Sequence, residues 1–482
     1  MILRRLPMLA VSVGTLGLIA VGAREAPEPV NAVFATTAAS WMPSVPAAGT
    51  LTSTWFCPGV PAGGEEGTAG EIVVANAGPS PMAARITLLA GPGEAVEQAL
   101  TVPPYERAMI DAGAAVTTPF ASAMVEIDGG GGLVEQRATQ PAGTSVAPCT
   151  TQPSSQWYLA EGFTAENSNE QLVLTNPYSE SAIVDIGFAT ADGSREPSEL
   201  QGFPVPSRSV RVIDMDSIAA RDEAEVAVKV VATRGNLIVG RAQVYDGGGR
   251  LGYSMSLASP ALRSQWWFAN GARGAGVTER FSIYNPTEDD VELTPVFLGI
   301  PEGTDVLVEP IIVPARQVVT YQSDSVQGLP DGRHAVVFGT TDFSQSVVVE
   351  RAITRTIEGI PTTSVLPGGI SRAEDAYIPN TWTLAVGPGE PTEDALVVYN
   401  TTIADATVTV QAVSGGGVVT VDALSELDLP AGAIVTIPLT DPAVVDSQLV
   451  VRSTVPVFVE RSLPREPGAQ GRSASWAVPV VS

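Results

Sequence analysis

Apolar residues in this chain come in short runs broken by turn residues, and where they are spaced they alternate by two. Glu225-Val226-Ala227-Val228-Lys229-Val230 sets valines on one face, and Thr407-Val408-Thr409-Val410-Gln411 does the same. That period belongs to a half-buried strand. Between residues 153 and 263 about seven such runs follow one another, from WYLA at 157–160 to GYSMSLA at 252–258. Asp128-Gly129-Gly130 and Asp246-Gly247-Gly248 supply the positive φ that tight hairpins need. Seven short strands in about 105–110 residues predict an immunoglobulin-like β-sandwich. A propeller blade has four strands in about 40–50 residues, so the pattern predicts domains in a row, not blades.

One run is different. Arg4 and Arg5 precede an uncharged stretch from Leu6 to Ala23 that ends at Arg24-Glu25. Eighteen helical residues span about 27 Å, enough for a thin bilayer core, and the arginines set the cytoplasmic side. Residues 1–23 read as an uncleaved signal anchor or, with Val21-Gly22-Ala23 as the cleavage site, as a signal peptide. Either reading places the remainder outside the cytoplasm. Residues 24–50, with Pro27, Pro29, Pro43 and Pro46, read as a semi-extended stalk.

The rest of the chain repeats itself. Three landmarks recur four times in the same order: an apolar strand ending at Asn76, Asn176, Asn285 and Asn400; a Val/Leu-Pro step at 102–103, 205–206, 313–314 and 429–430, read as opening a strand; and LVEQR, LIVGR, VVVER and VFVER, ending at Arg137, Arg241, Arg351 and Arg461. A weaker fourth landmark is an aromatic entry strand at Trp55, Trp157 and Trp266, which degrades to Tyr377 or Trp382 in the last copy. The expected architecture is therefore all-β: four tandem immunoglobulin-like β-sandwich repeats, at 51–152, 153–263, 264–372 and 373–482, after an N-terminal transmembrane or signal helix. The two-residue period puts Arg241, Arg351 and Arg461 on apolar faces, where a guanidinium must be paired. The expected partners are the recurring asparagines and the acidic residues six positions before them (Glu170, Glu279 and Asp394), making an internal latch in each copy.

Composition narrows the chemistry. The formal charge is −26, with one lysine (Lys229), one histidine (His334) and two cysteines (Cys57, Cys149). One histidine cannot make a multi-histidine zinc site, and so acidic a chain repels nucleic acid. No nucleophile elbow, Walker loop or dinucleotide fingerprint occurs; His334 reads as an exposed loop residue and Lys229 as solvated. No cofactor and no enzymatic activity is expected; a hydrolase, such as a two-carboxylate glycosidase, is the less favoured alternative because no pair of the abundant Asp and Glu stands out. Cys57 and Cys149 bracket the first copy and, in an exported protein, are expected to pair. Trp157, Trp266 and Trp267 read as core plugs or, alternatively, as a platform for glycan rings. Glu288-Asp289-Asp290 could hold Ca²⁺ only weakly, without an EF-hand spacing.

With TWFCPG at 54–59, WYLAEG at 157–162, Asn176-Pro177, Asn285-Pro286, the export segment and the arginine-over-lysine bias in view, the chain resembles an actinobacterial family of secreted or membrane-anchored proteins of unknown function. The resemblance covers nearly all of residues 50–482 and implies no catalytic residue. The expectation is a non-enzymatic extracytoplasmic protein of the cell envelope. It would touch the membrane only through its N-terminal helix and act as a spacer or interaction platform for an envelope protein or glycan.

Overall fold

The computed structural model describes residues 42–218, 220–369, 378–465 and 471–480. The export segment at 1–23 and the stalk up to residue 41 lie outside them. Among the described residues no helix is long and apolar enough to cross a membrane.

The architecture is all-β, with eight antiparallel sheets among the described residues. Four successive stretches of chain each build two of them, from strands taken in the same order. Counted from the aromatic entry strand, one sheet runs first–sixth–third–fourth and the other fifth–second–seventh–eighth. In the first stretch the entry strand is Thr52–Ala62, the second Ala69–Asn76, the seventh Gly132–Gln140 and the eighth Gly143–Pro148. The second and fourth stretches add a short hairpin strand, Gly193–Arg195 and Gly417–Thr420. Eight strands rather than seven is a correction to the sequence reading. The strand missed is the fourth, only three residues long at Phe203–Val205, Ile311–Val313 and Leu427–Leu429, too short to show a period. The Val/Leu-Pro step closes this strand and does not open the next.

Each entry strand plants a tryptophan in the core. Trp55, Trp157, Trp266 and Trp382 are all fully buried. Trp382 therefore marks the start of the fourth stretch, and Tyr377 lies outside the described residues. The indole N–H groups of Trp157, Trp266 and Trp382 reach the backbone carbonyls of Leu237, Val347 and Val457, three equivalent points at the start of the seventh strand. A large apolar body with one satisfied polar handle is what a buried tryptophan requires.

The stretches are not strung out in a row. The eighth strands of all four, Gly143–Pro148, Arg250–Leu257, Ile360–Pro367 and Arg472–Trp476, surround an axial cavity of about 20 Å³. Met255 N–H donates to Ser145 Oγ at 2.9 Å and Trp476 Nε1 to Pro367 O at 2.8 Å. Thr144 N–H donates to Arg465 O at 2.7 Å, so the fourth stretch meets the first and the ring closes. The last residues of the expected stalk join the body too. Met42 and Val45 are buried, and Val45 bridges Val480 in parallel, its N–H donating to Pro479 O at 2.9 Å. Apolar side chains at positions 42 and 45 have a surface to cover, which a Pro/Ala-rich composition does not reveal.

Candidate functional site

Register places the recurring polar residues. With the four asparagines ending the second strands, Arg241, Arg351 and Arg461 lie opposite Leu172, Phe281 and Leu396. The residue opposite Ile72 in the first stretch is Gln136. Arg137 is thus one position out of register; it is half-exposed and ion-paired with Glu71 at 3.6 Å. The residue just before each of these four positions is Glu135, Gly240, Glu350 or Glu460.

These two columns meet across the joints between stretches. Arg241 of the second stretch forks onto Glu350 of the third at 3.0 and 3.2 Å. Arg351 of the third reaches Glu460 of the fourth at 2.7 and 3.4 Å. Arg461 of the fourth reaches Glu135 of the first at 2.8 and 3.2 Å, closing the circle. Each carboxylate also takes backbone N–H groups from the entry strand, or the residues just after it, of the neighbour holding its arginine. Glu350 accepts from Ala160 and Glu161, Glu460 from Ala269 and Asn270, and Glu135 from Ala385. Both charges of every pair are almost fully buried. Burial works against the Arg241 charge, but Glu350 and Glu170 outweigh it and hold its pKa above the usual value. The expected partners were different: an acid and an asparagine inside the same copy. Comparing copies with one another cannot reveal a contact between copies, although Glu stands directly before Arg in VVVER and VFVER.

The joint between the first and second stretches is neutral, and all three parts of the clasp are missing together. Gln136 replaces the arginine and Gly240 the glutamate. Pro58, which has no N–H, stands where Ala160, Ala269 and Ala385 donate theirs. A Cβ on Gly240 would lie 2.6 Å from Pro58 Cβ, so the proline occupies the space of the absent side chain. The one remaining donor, Gly59 N–H, is taken by Gln136 Oε1 at 3.1 Å. Removing one member of a buried pair strands the other, whereas removing all of them leaves nothing unsatisfied. Cys57, bonded to Cys149 with a Cα–Cα distance of 4.4 Å, sits directly before this proline.

The asparagines have their own task. Each side-chain amide donates to the carbonyl four residues on (Ser80, Glu180, Asp289, Ala404) and to both residues of the Val/Leu-Pro step. Each Oδ1 accepts the N–H two residues on. Asn76, Asn176, Asn285 and Asn400 therefore tie the turn after the second strand to the end of the fourth, and none touches a recurring arginine.

A cluster of titratable groups lies beside the joint of the second and third stretches. Glu161 accepts from Arg250 at 2.6 Å and from the Ser282 hydroxyl. Burial pushes its carboxyl up, but Arg250 and Ser282 outweigh this and hold it below the usual range. Glu170 is fully buried with no hydrogen-bond partner on either oxygen among the described residues, and burial pushes it up to about 8. His334 is buried, against the exposed loop position expected. Its Nε2 lies 2.7 Å from Glu279 Oε2, and its ring meets Phe297 edge-on. Burial raises the Glu279 carboxyl, but His334 and Arg351 hold it below the usual range.

Trp157, Trp266 and Trp267 do not form an exposed row. Trp157 and Trp266 have no exposed surface, and Trp267 is stacked on Phe458 of the fourth stretch with centroids 5.5 Å apart. Residues that begin a sandwich in one stretch plug the core or the joint to the next, which leaves no row of free tryptophan faces among the described residues. In Glu288-Asp289-Asp290, Glu288 pairs with Arg316 and Asp290 accepts the Ala315 N–H. Among the described residues no group of three or more His, Cys, Asp or Glu is placed to hold a metal ion.

No curated protein matches this chain. One similar solved chain is the crystal structure of Thermotoga maritima 1070, 12% identical with a TM-score of 0.19 over 22% of this chain and 94% of that one. Likeness at that level carries no argument. Residues 134–359, which include Gln136, Gly240, Arg241 and Glu350, match the model of a family described as of unknown function, DUF5719.

Proposed function

We propose, with the match to that family of unknown function as the premise, that the protein is an exported, non-enzymatic component of the cell envelope. Its four tandem immunoglobulin-like sandwiches, closed into a ring, act as a rigid interaction platform. Residues 1–23 carry the chain across the membrane and either anchor it or are removed. The observation that carries this reading is the fate of the recurring polar residues. Three of the four joints are held by a buried arginine–glutamate pair and all four asparagines tie a turn, so most of the recurring polar residues are spent on holding one shape. The Cys57–Cys149 bond supports an extracytoplasmic place, since such bonds persist in oxidising compartments. A ring favours the platform over the spacer, because closing it gives up the length that a row of domains would provide.

The test combines compartment with partner. Cells carrying the protein are fractionated and treated intact with protease, and its thiols are alkylated before and after reduction. The expected result is envelope-fraction protein with both cysteines inaccessible until reduced, and an envelope component captured by crosslinking in intact cells. Cytoplasmic protein with free thiols would overturn the export reading. A deletion strain with unchanged envelope integrity, surface adhesion and crosslinked products would overturn the platform.

A further inference from the structure

At the joint that closes the ring, two residues differ in kind from their counterparts at the other three. A cavity of about 270 Å³ opens between the first and fourth stretches, lined by Arg107, Arg137, Met109, Val146, Val386 and Leu463 among others. Register gives the counterparts of Arg107 as Val210, Val318 and Ile434. The residues matching Arg137, next along from the clasp position, are Ala242, Ala352 and Ser462. Two arginines have thus replaced small or apolar residues at one joint only. The Arg461–Glu135 pair already clasps that joint, so closure does not explain them.

Their charges are under-compensated. Arg107 is half-buried, donates to Ala385 O at 3.1 Å, and has no carboxylate within 4 Å among the described residues. Burial, with the neighbouring Arg137, lowers its pKa and outweighs the pull of Asp446, Glu135 and Glu71. Among the described residues Arg137 has only the loose ion pair with Glu71. Glu390 and Asp446 also line the cavity, so it is not a general sink for anions. Two guanidinium forks beside apolar walls suit a planar carboxylate on an apolar body.

We propose that this cavity binds a small organic monocarboxylate, its carboxylate between Arg107 and Arg137 and its apolar body against Met109, Val146, Val386 and Leu463. The volume corresponds to about nine water molecules, which limits the ligand to roughly the size of an acylated amino acid. The proposal does not rest on export or on any envelope role.

N-acetylleucine is the probe, titrated into the full chain by calorimetry and by ligand-observed NMR, with N-acetylleucine amide as its uncharged twin. The expected dissociation constant is about 1 mM, what about twelve non-hydrogen atoms give at ordinary ligand efficiency. The amide should not bind, and Arg107→Met or Arg137→Met should weaken the acid at least about tenfold. Should Arg107→Met fail to fold, Arg137→Met carries the test alone, since it removes only a half-exposed 3.6 Å ion pair. Arg107→Lys, which keeps the charge and loses the fork, should retain part of the affinity. No binding of the acid overturns the proposal. So do equal binding of acid and amide, equal binding of sulfate, and affinity unchanged in both methionine variants.

Discussion

Removing one half of the Arg351–Glu460 clasp should cost more than removing it whole, and the sequence itself supplies the template for whole removal. Arg351→Met leaves Glu460 buried without its cation but still accepting from Ala269 and Asn270. A buried charge stranded in this way costs about 3–5 kcal/mol. Glu460→Leu strands Arg351 instead and also leaves two buried N–H groups without an acceptor, at about 1–3 kcal/mol each. In the double variant no charge is stranded, so its loss should fall short of the sum of the single losses by about 3 kcal/mol. Ala269→Pro gives the sharper readout. In the native background it breaks a bond to Glu460 and should destabilise by at least about 1 kcal/mol. With Arg351→Gln and Glu460→Gly already in place it should be neutral or stabilising, because Pro58 occupies that position beside Gln136 and Gly240. The backbone accepts the proline, since both entry strands bulge at the same point, between Cys57 and Val60 and between Phe268 and Gly271. Urea unfolding followed by tryptophan fluorescence reports on this joint through Trp267 and Trp476. Costs that add within about 0.5 kcal/mol would mean that the two residues are not coupled. A proline equally harmful in both backgrounds would refute the three-part account of the clasp.

Three further outcomes follow from other parts of the molecule. Reducing Cys57–Cys149, or replacing both by alanine, releases a separation of 92 residues and should lower the stability of the first stretch by about 4–5 kcal/mol in the chain-entropy model, seen as an earlier unfolding transition; superimposable curves would rule this out. Glu170, pushed up to about 8 by burial, holds its proton in the folded state after the unfolded chain has lost it. Its contribution is therefore full below about pH 4.5 and declines as pH rises towards 8. Glu170→Gln should gain on the native protein steadily from pH 5 to 8 in urea midpoints, and a constant difference would contradict the burial argument. Arg208 adopts φ 46 where the fourth stretch uses Gly432 at φ 64. Arg208→Gly should stabilise by about 0.5 kcal/mol, the left-handed penalty less the entropy of a more flexible unfolded chain; a lower urea midpoint would count against it.

How much of this could be read from the chain depended on whether a residue's partner lay within one copy. Alternation at Glu225–Val230 and Thr407–Gln411 predicts strands, and Ala227–Arg234 and Ala406–Ser414 are strands. The asparagines and the Val/Leu-Pro steps recur in phase because they bond to each other, a contact that spacing along the chain does not reveal. Arg137 misled because LVEQR ends like VVVER and VFVER, while pairing to Ile72 puts Gln136 in the arginine's place. The burial of His334 was hidden because its partner, Glu279, lies 55 residues earlier on a facing sheet. Ring closure leaves the weakest trace, since it depends on a rotation between neighbours that accumulates over all four stretches. Its only local signature is a glutamate directly before the arginine, and that pair stands in two of the four copies, VVVER and VFVER.

The clasps all point one way: each arginine reaches forward to the next stretch, and the last reaches Glu135 of the first. A head-to-tail contact of this kind closes on itself only while the cumulative rotation returns to its start. Chemically, Arg461 cannot tell its own Glu135 from that of a neighbouring molecule. What selects the internal partner is proximity, worth an effective concentration on the order of millimolar for a tethered pair. The molecule is therefore poised between a small cycle and a linear polymer, in the sense that governs macrocyclisation. Dilute refolding should yield the cycle, and refolding in concentrated solution should yield chains linked end to end by the same salt bridge.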